Sequence, residues 1–306
     1  MTQHRIPRRA LAASVAVAAL AAAAPLATAG PAAAAGPKVV CTSGKAGLAA
    51  KLTKDITAAL KKMPSRSAVA LQDPATKTTC SYNGDARFDS ASVIKATILG
   101  TLLWDANTHG RQLTAWEKQQ AKGMITISDN PSTTRLWERL GSSKVKAFVK
   151  AAGMKRTVPE TGHAWGISQI TANDEQKMLA LFTQRNKLIR DKDRSYALDL
   201  MNKVVSGQRW GTPAGAPKGT KIHVKNGWMH RTNDNRWYVH SIGAFDGGGR
   251  TYTMSVLTYG TYSDASGAKA IEAVARVVHK DLNPSAKKSA LFVPPARPQE
   301  VVPPGV

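Results

Sequence analysis

The chain has 306 residues, 42% of them hydrophobic, and a formal net charge of +23. Its length and apolar content allow a sizeable core and exclude a disordered chain. A charge of this sign can point to nucleic acid, but the lysines are scattered along the sequence. A solvated basic surface is the plainer reading, with attraction to anionic cell-wall polymers as the sharper one.

Residues 1–35 read as a secretory signal peptide. Arg5, Arg8 and Arg9 make a basic start, and Ala10 to Ala24 is an apolar run that Pro25 breaks. Ala27-Thr28-Ala29 and Ala33-Ala34-Ala35 both fit a signal-peptidase site. The run is short for a membrane span, and Arg8-Arg9 leaves the twin-arginine and general export routes both open. The leader holds three of the 43 basic residues and none of the 20 acidic ones, which leaves +20 on the mature chain. Export places that chain in an oxidising compartment, secreted or at the cell wall. Its two cysteines, Cys41 and Cys80, are therefore expected to form one disulfide joining the mature N-terminus to an early strand. A lipid anchor on Cys41 is the weaker alternative, since Val39-Val40 precede it instead of small residues.

Residues 44–63 read as a helix, with Leu48, Leu52, Ile56 and Leu60 on one face and Pro64 closing it. A strand from Ser67 to Gln72 and a second carrying Cys80 follow, with Asn83-Gly84 as a turn. Helical patterns then occupy 91–103, 114–126, 131–140, 142–152, 172–185 and 192–205. The pattern changes at Gly207. Strands are expected over Lys221–Trp228, Arg236–Phe245 and Arg250–Tyr259, then a last helix over 264–282. The final 15 residues contain five prolines and read as an extended, mobile tail. The simplest α/β (α+β) architecture packs both ends into one antiparallel sheet with helices on it, and makes the helical block a second lobe. The expected domain is 36–284, with a tail over 285–306.

Lys95 sits in an almost wholly apolar stretch, Ala91 to Leu103, three residues after Ser92. Residues three apart on a helix share a face. Desolvation favours the neutral amine, and such a lysine can take the proton of a serine hydroxyl. Ser-x-x-Lys alone is weak: taken singly, an N-cap serine beside a lysine that snorkels to solvent explains it better than catalysis does. Two further constellations change the balance. Ser128-Asp129-Asn130 precedes Pro131 between two helical segments, where a plain helix cap would also fit. Lys225-Asn226-Gly227-Trp228 lies on a strand, where a surface lysine beside a glycine bulge would fit.

In this order and spacing, the three motifs resemble those of the penicillin-recognising serine enzymes, the class A β-lactamases and penicillin-binding proteins. The resemblance spans roughly 44–282 and implies the β-lactamase-like fold: an antiparallel sheet flanked by N- and C-terminal helices, plus an all-helical lobe. It makes Ser92 the acylated nucleophile and Lys95 its base or proton relay. Ser128 becomes the proton donor to the leaving nitrogen, and Lys225 the cation facing Ser128 and a substrate carboxylate. Asn130, Asn226, Gly227 and Trp228 become substrate-binding residues, with the Ser92 and Trp228 N–H groups as oxyanion hole. Arg236 occupies the strand where many such enzymes hold a carboxylate-binding arginine; an ordinary strand-end arginine is an equal reading.

Two departures bear on activity. Asn226 stands where the family has Thr or Ser. The glutamate that activates water in class A enzymes has no clear counterpart: Glu160, in Pro-Glu-Thr-Gly, is the one loop carboxylate, and Asp174 and Glu175 read as a helix start capped by Thr171. The expectation is a secreted, monomeric acyl-serine hydrolase acting on a β-lactam, or on a peptidoglycan-like peptide if deacylation is slow. A cell-wall D,D-peptidase, an esterase and a non-catalytic cell-wall-binding homologue are the alternatives. No metal or cofactor motif is present in the sequence.

Overall fold

The computed structural model describes residues 37–64 and 66–294; the expected signal peptide and the end of the tail lie outside the described residues. The strands are β1 (Val40–Thr42), β2 (Arg66–Asp73), β3 (Thr78–Tyr82), β4 (Phe88–Asp89), β5 (Gln169–Ile170), β6 (Lys221–Arg231), β7 (Arg236–Gly247) and β8 (Arg250–Thr261). The helices are α1 (Leu48–Leu60), α2 (Ile94–Thr108), α3 (Ala115–Thr126), α4 (Asn130–Leu140), α5 (Ser142–Ala151), α6 (Ala172–Thr183), α7 (Asp191–Asn202) and α8 (Asp264–Leu282).

Six strands form one antiparallel sheet in the order β1-β3-β2-β8-β7-β6. The two ends of the chain thus share one sheet, with β6 at its edge. Strand alternation sends neighbouring side chains to opposite faces. On β8, Tyr252 hydrogen-bonds His279 of α8 at 2.7 Å, while Thr253 and Ser255 hydrogen-bond Gln176 of α6. The terminal helices α1 and α8 therefore cover one face, and the helical lobe covers the other. This is the layered β-lactamase-like arrangement expected from the motifs.

The helices start where the sequence provides caps. Thr114 and Glu117 form a complete capping box on α3. Asp129 caps α4 by accepting from the Ser132 N–H at 2.7 Å, with Pro131 in the first turn. Thr171 and Ser263 cap α6 and α8. From Ile94 to Leu103, helix α2 is buried on every side, Lys95 included.

Cys41 and Cys80 face each other in register across β1 and β3 and are disulfide-bonded. The start of the expected tail is docked. The Phe292 N–H bonds the Ala216 carbonyl at 2.8 Å, the Gly215 N–H bonds the Phe292 carbonyl at 3.0 Å, and the Phe292 ring packs on the core. Within the expected tail, then, an aromatic residue is anchored before the prolines. No helix of the described residues is long and apolar enough to cross a membrane.

Candidate active site

Ser92 lies in a 3-10 turn, Ala91–Val93, that runs directly into α2. Its neighbour Ala91 is held at φ 45°, in the left-handed region. That conformation brings the serine to the end of β6. There the backbones touch: a Cβ on Gly227 would sit 2.7 Å from the Ser92 nitrogen and 2.8 Å from the Val93 nitrogen. Only glycine fits.

Lys95 is fully buried. Its Nζ donates to the Ser128 carbonyl at 2.6 Å and to Asn130 Oδ1 at 2.8 Å, and lies 3.1 Å from Ser128 Oγ. From the edge strand, Lys225 Nζ reaches the same Ser128 Oγ at 3.0 Å and donates to the Asn226 carbonyl at 2.6 Å. One hydroxyl therefore bridges two buried lysines. Burial pushes the Lys225 pKa down to about 7, so it titrates near neutrality. Ser128 sits at φ 60° immediately before the cap. Asp129 thus performs the structural task of the motif, and its two neighbours are turned to the lysines. Asn130 is exposed and its Oδ1 is engaged, so its NH2 is what it can offer a ligand.

Other candidates stand differently. Asn226 is only 1% exposed, and its NH2 donates to the Gln208 and Trp210 carbonyls at 2.8 and 3.0 Å. It braces the strand against the segment before it instead of offering that amide to substrate. Trp228 is half-buried with its ring 5.7 Å from that of Trp210. Arg236 is not brought to the cluster. It lies four residues from His240, the partner of Gly227, roughly 13 Å along the strand, with its guanidinium 3.5 Å from the centre of the Tyr262 ring. The Glu160 carboxylate accepts from the Gly162 N–H of its own loop. Asp174 holds the Arg156 and Thr157 N–H groups, both at 2.7 Å, and so pins the loop's base. Glu175 is fully buried, and burial, with the neighbouring Asp174, raises its pKa well above the ordinary range.

Trp165 was not singled out by the sequence. The loop from 156 to 168 lays its ring 4.9 Å from Lys95 Nζ, with Trp165 Nε1 donating to Thr134 Oγ1 at 3.2 Å. The loop is fastened beside the nucleophile: the Ser90 N–H bonds the Ser168 carbonyl at 2.8 Å and Ser90 Oγ bonds the Gly166 carbonyl at 3.2 Å. Asp89 completes the clasp. Its carboxylate accepts from Gln169 and Arg231, and its carbonyl from His240 Nε2 at 2.8 Å. Because His240 Nδ1 accepts the Thr258 N–H, the ring proton must lie on Nε2. Burial lowers the His240 pKa to about 4, so the ring stays neutral. A tryptophan in a loop and an aspartate in a two-residue strand carry no periodic signal, and no local pattern could have found them.

A serine at a helix start, two buried lysines joined through a second serine, and closely apposed backbone N–H groups make up the equipment of an acyl-transferring serine hydrolase. The family model described as the beta-lactamase enzyme family matches residues 51–116 and 107–282. The chain belongs to that family and is a serine hydrolase of the Ser-x-x-Lys type. Among solved structures, it is similar to a class A β-lactamase from Bacteroides cellulosilyticus: TM-score 0.68 and 17% identity, covering 77% of this chain and 98% of that one. It is also similar to a PBP-A variant solved as its acyl-enzyme with penicillin G: TM-score 0.66, 21% identity, 77% and 97% covered. A β-lactamase from Xanthomonas campestris pv. campestris gives TM-score 0.65 at 17% identity, with 76% and 97% covered. At these identities the likeness concerns the fold. No curated protein matches the chain.

Proposed function

We propose that the protein is an exported enzyme that opens β-lactam amides through an acyl-enzyme on Ser92. The observation that carries this is Ser128 Oγ, within 3.1 Å of one lysine nitrogen and 3.0 Å of the other. Ser92 Oγ attacks the lactam carbonyl and its proton passes to a neutral Lys95 Nζ. The carbonyl oxygen takes up negative charge between the N–H groups of Ser92 and Trp228. The C–N bond then breaks, and the leaving nitrogen takes the Ser128 proton. The Ser128 hydroxyl, 3.1 Å from Lys95 Nζ, can both accept and donate, so it offers a route by which the proton moves on. Protonated Lys225 attracts a substrate carboxylate, and the Asn130 NH2 binds the substrate amide. Export is supported by the leader and by the disulfide.

Trp165 favours a second reading. An indole covers Lys95, and the Glu160 carboxylate is engaged within its own loop. Water would then be activated poorly, and the acyl-enzyme would be long-lived. That is the behaviour of a penicillin-binding D,D-peptidase, with peptidoglycan-like peptides as substrate. The experiment is turnover of penicillin G against turnover of a peptide ending in D-Ala-D-Ala, with Ser92→Ala as control. Catalytic loss of penicillin supports the first reading, and release of D-alanine with penicillin acting only as an inhibitor supports the second. Full activity of Ser92→Ala on every acyl substrate tested would overturn both.

A further inference from the structure

Beside the loop that carries Trp165, a groove of about 460 Å³ runs between the C-terminal half of α5 and the segment from Gly153 to Pro159. Its floor is apolar: Val149, Met154 and Pro159 are buried, and Val158 is 44% exposed. Its rim is Lys146, Lys150 and Lys155, all exposed, and no carboxylate lines it. Among the described residues, none of these three lysines is in an ion pair. The contrast lies on the same helix, where Lys144 pairs with Asp105 at 2.6 Å. The neighbouring Asp174 is buried and already held by Lys177 and two backbone N–H groups.

We propose that this groove binds a linear phosphodiester polymer with short polyol spacers, and so holds the enzyme on a polyanionic surface. Three features select that class. Lys146 and Lys150 are one helical turn apart, about 6 Å along the axis, a spacing that suits repeated charges instead of one compact anion. The rim is built of lysines, point charges that can meet the phosphates of a flexible chain one at a time without a fixed bidentate geometry. The apolar floor fits the carbon spacers between phosphates. No aromatic ring lines the groove, so it lacks the stacking platform that single-stranded nucleic acid uses. This site stands apart from Ser92 and does not depend on the hydrolytic reading.

The test uses the full mature chain and a fluorescently end-labelled poly(glycerol phosphate), with affinity followed by anisotropy across a salt series. The triple variant Lys146→Ala/Lys150→Ala/Lys155→Ala should weaken binding at least 10-fold and reduce the slope of log K against log salt by about 2. Removing equal charge from α1 and its C-terminal end, with Lys54→Ala/Lys61→Ala/Lys62→Ala, should change affinity less than 2-fold. Melting curves of both variants should match that of the parent chain, which shows that both fold. Equal losses in the two triples would reduce the effect to net charge and overturn the proposal. Equally tight, groove-dependent binding of poly-glutamate or of an oligothymidylate would overturn the assignment to polyol phosphate.

Discussion

Lys225 is where charge and chemistry meet most directly. Burial has moved its pKa down to about 7, so the folded protein releases this proton near neutrality, where an exposed lysine would keep it. A carboxylate-bearing ligand favours the ammonium form, so its binding takes up a proton above pH 7. Acylation by an anionic β-lactam should therefore fall as pH rises through 7 to 8, while a neutral ester should not show that limb. Stopped-flow acylation across pH 6–9 checks this, and identical profiles for the two substrates would contradict it. Gly227 gives a steric prediction. With 2.7 Å between a new Cβ and the Ser92 nitrogen, Gly227→Ala must move the nucleophile turn or the strand. Acylation should drop by at least about 10²-fold, measured beside a melting curve that shows the variant still folded.

At the scale of elements, the long helices and the three late strands were legible because each repeats its pattern over many residues. The α4 start was readable from Asp129 and Pro131, and the lysine within the apolar stretch of α2 marked the site. The two-residue strands β4 and β5, the clasp of Asp89 with Arg231, and the loop around Trp165 were not legible. They depend on residues about 80 to 140 positions apart, and a lone loop aromatic looks like any other. What the Asn226 NH2 holds was not legible for a related reason: only the packing of β6 on the Gln208–Trp210 segment reveals it. The loop yields a prediction of its own. Trp165→Ala uncovers Lys95 and admits water, so the penicillin adduct should decay faster, by roughly 10-fold, with little change in its rate of formation. Intact-mass spectra taken over time read both rates. An unchanged lifetime would mean that the indole does not limit deacylation.

Among the described residues, early and late strands complete one six-stranded sheet, and Lys225 of its edge strand β6 meets Ser128 of the helical lobe. The sheet's first strand is tied on by the disulfide, which spans 39 residues of sequence. Closing a loop of that length constrains the unfolded chain by about 4 kcal/mol in the entropic account. A Cys41→Ala/Cys80→Ala variant should melt roughly 10 °C lower, and calorimetry of the oxidised protein beside it measures the difference. Acylation at low temperature should persist, since β1 lies at the far edge of the sheet from β6.

The most direct test of the central claim, that Ser92 is the residue acylated, is the intact mass of the mature protein after mixing with penicillin G, followed by peptide mapping. The account predicts one adduct per chain, located on Ser92, absent in Ser92→Ala and much slower to form in Ser128→Ala. No adduct at any time, with penicillin left unconsumed, or an adduct on another residue, would contradict it.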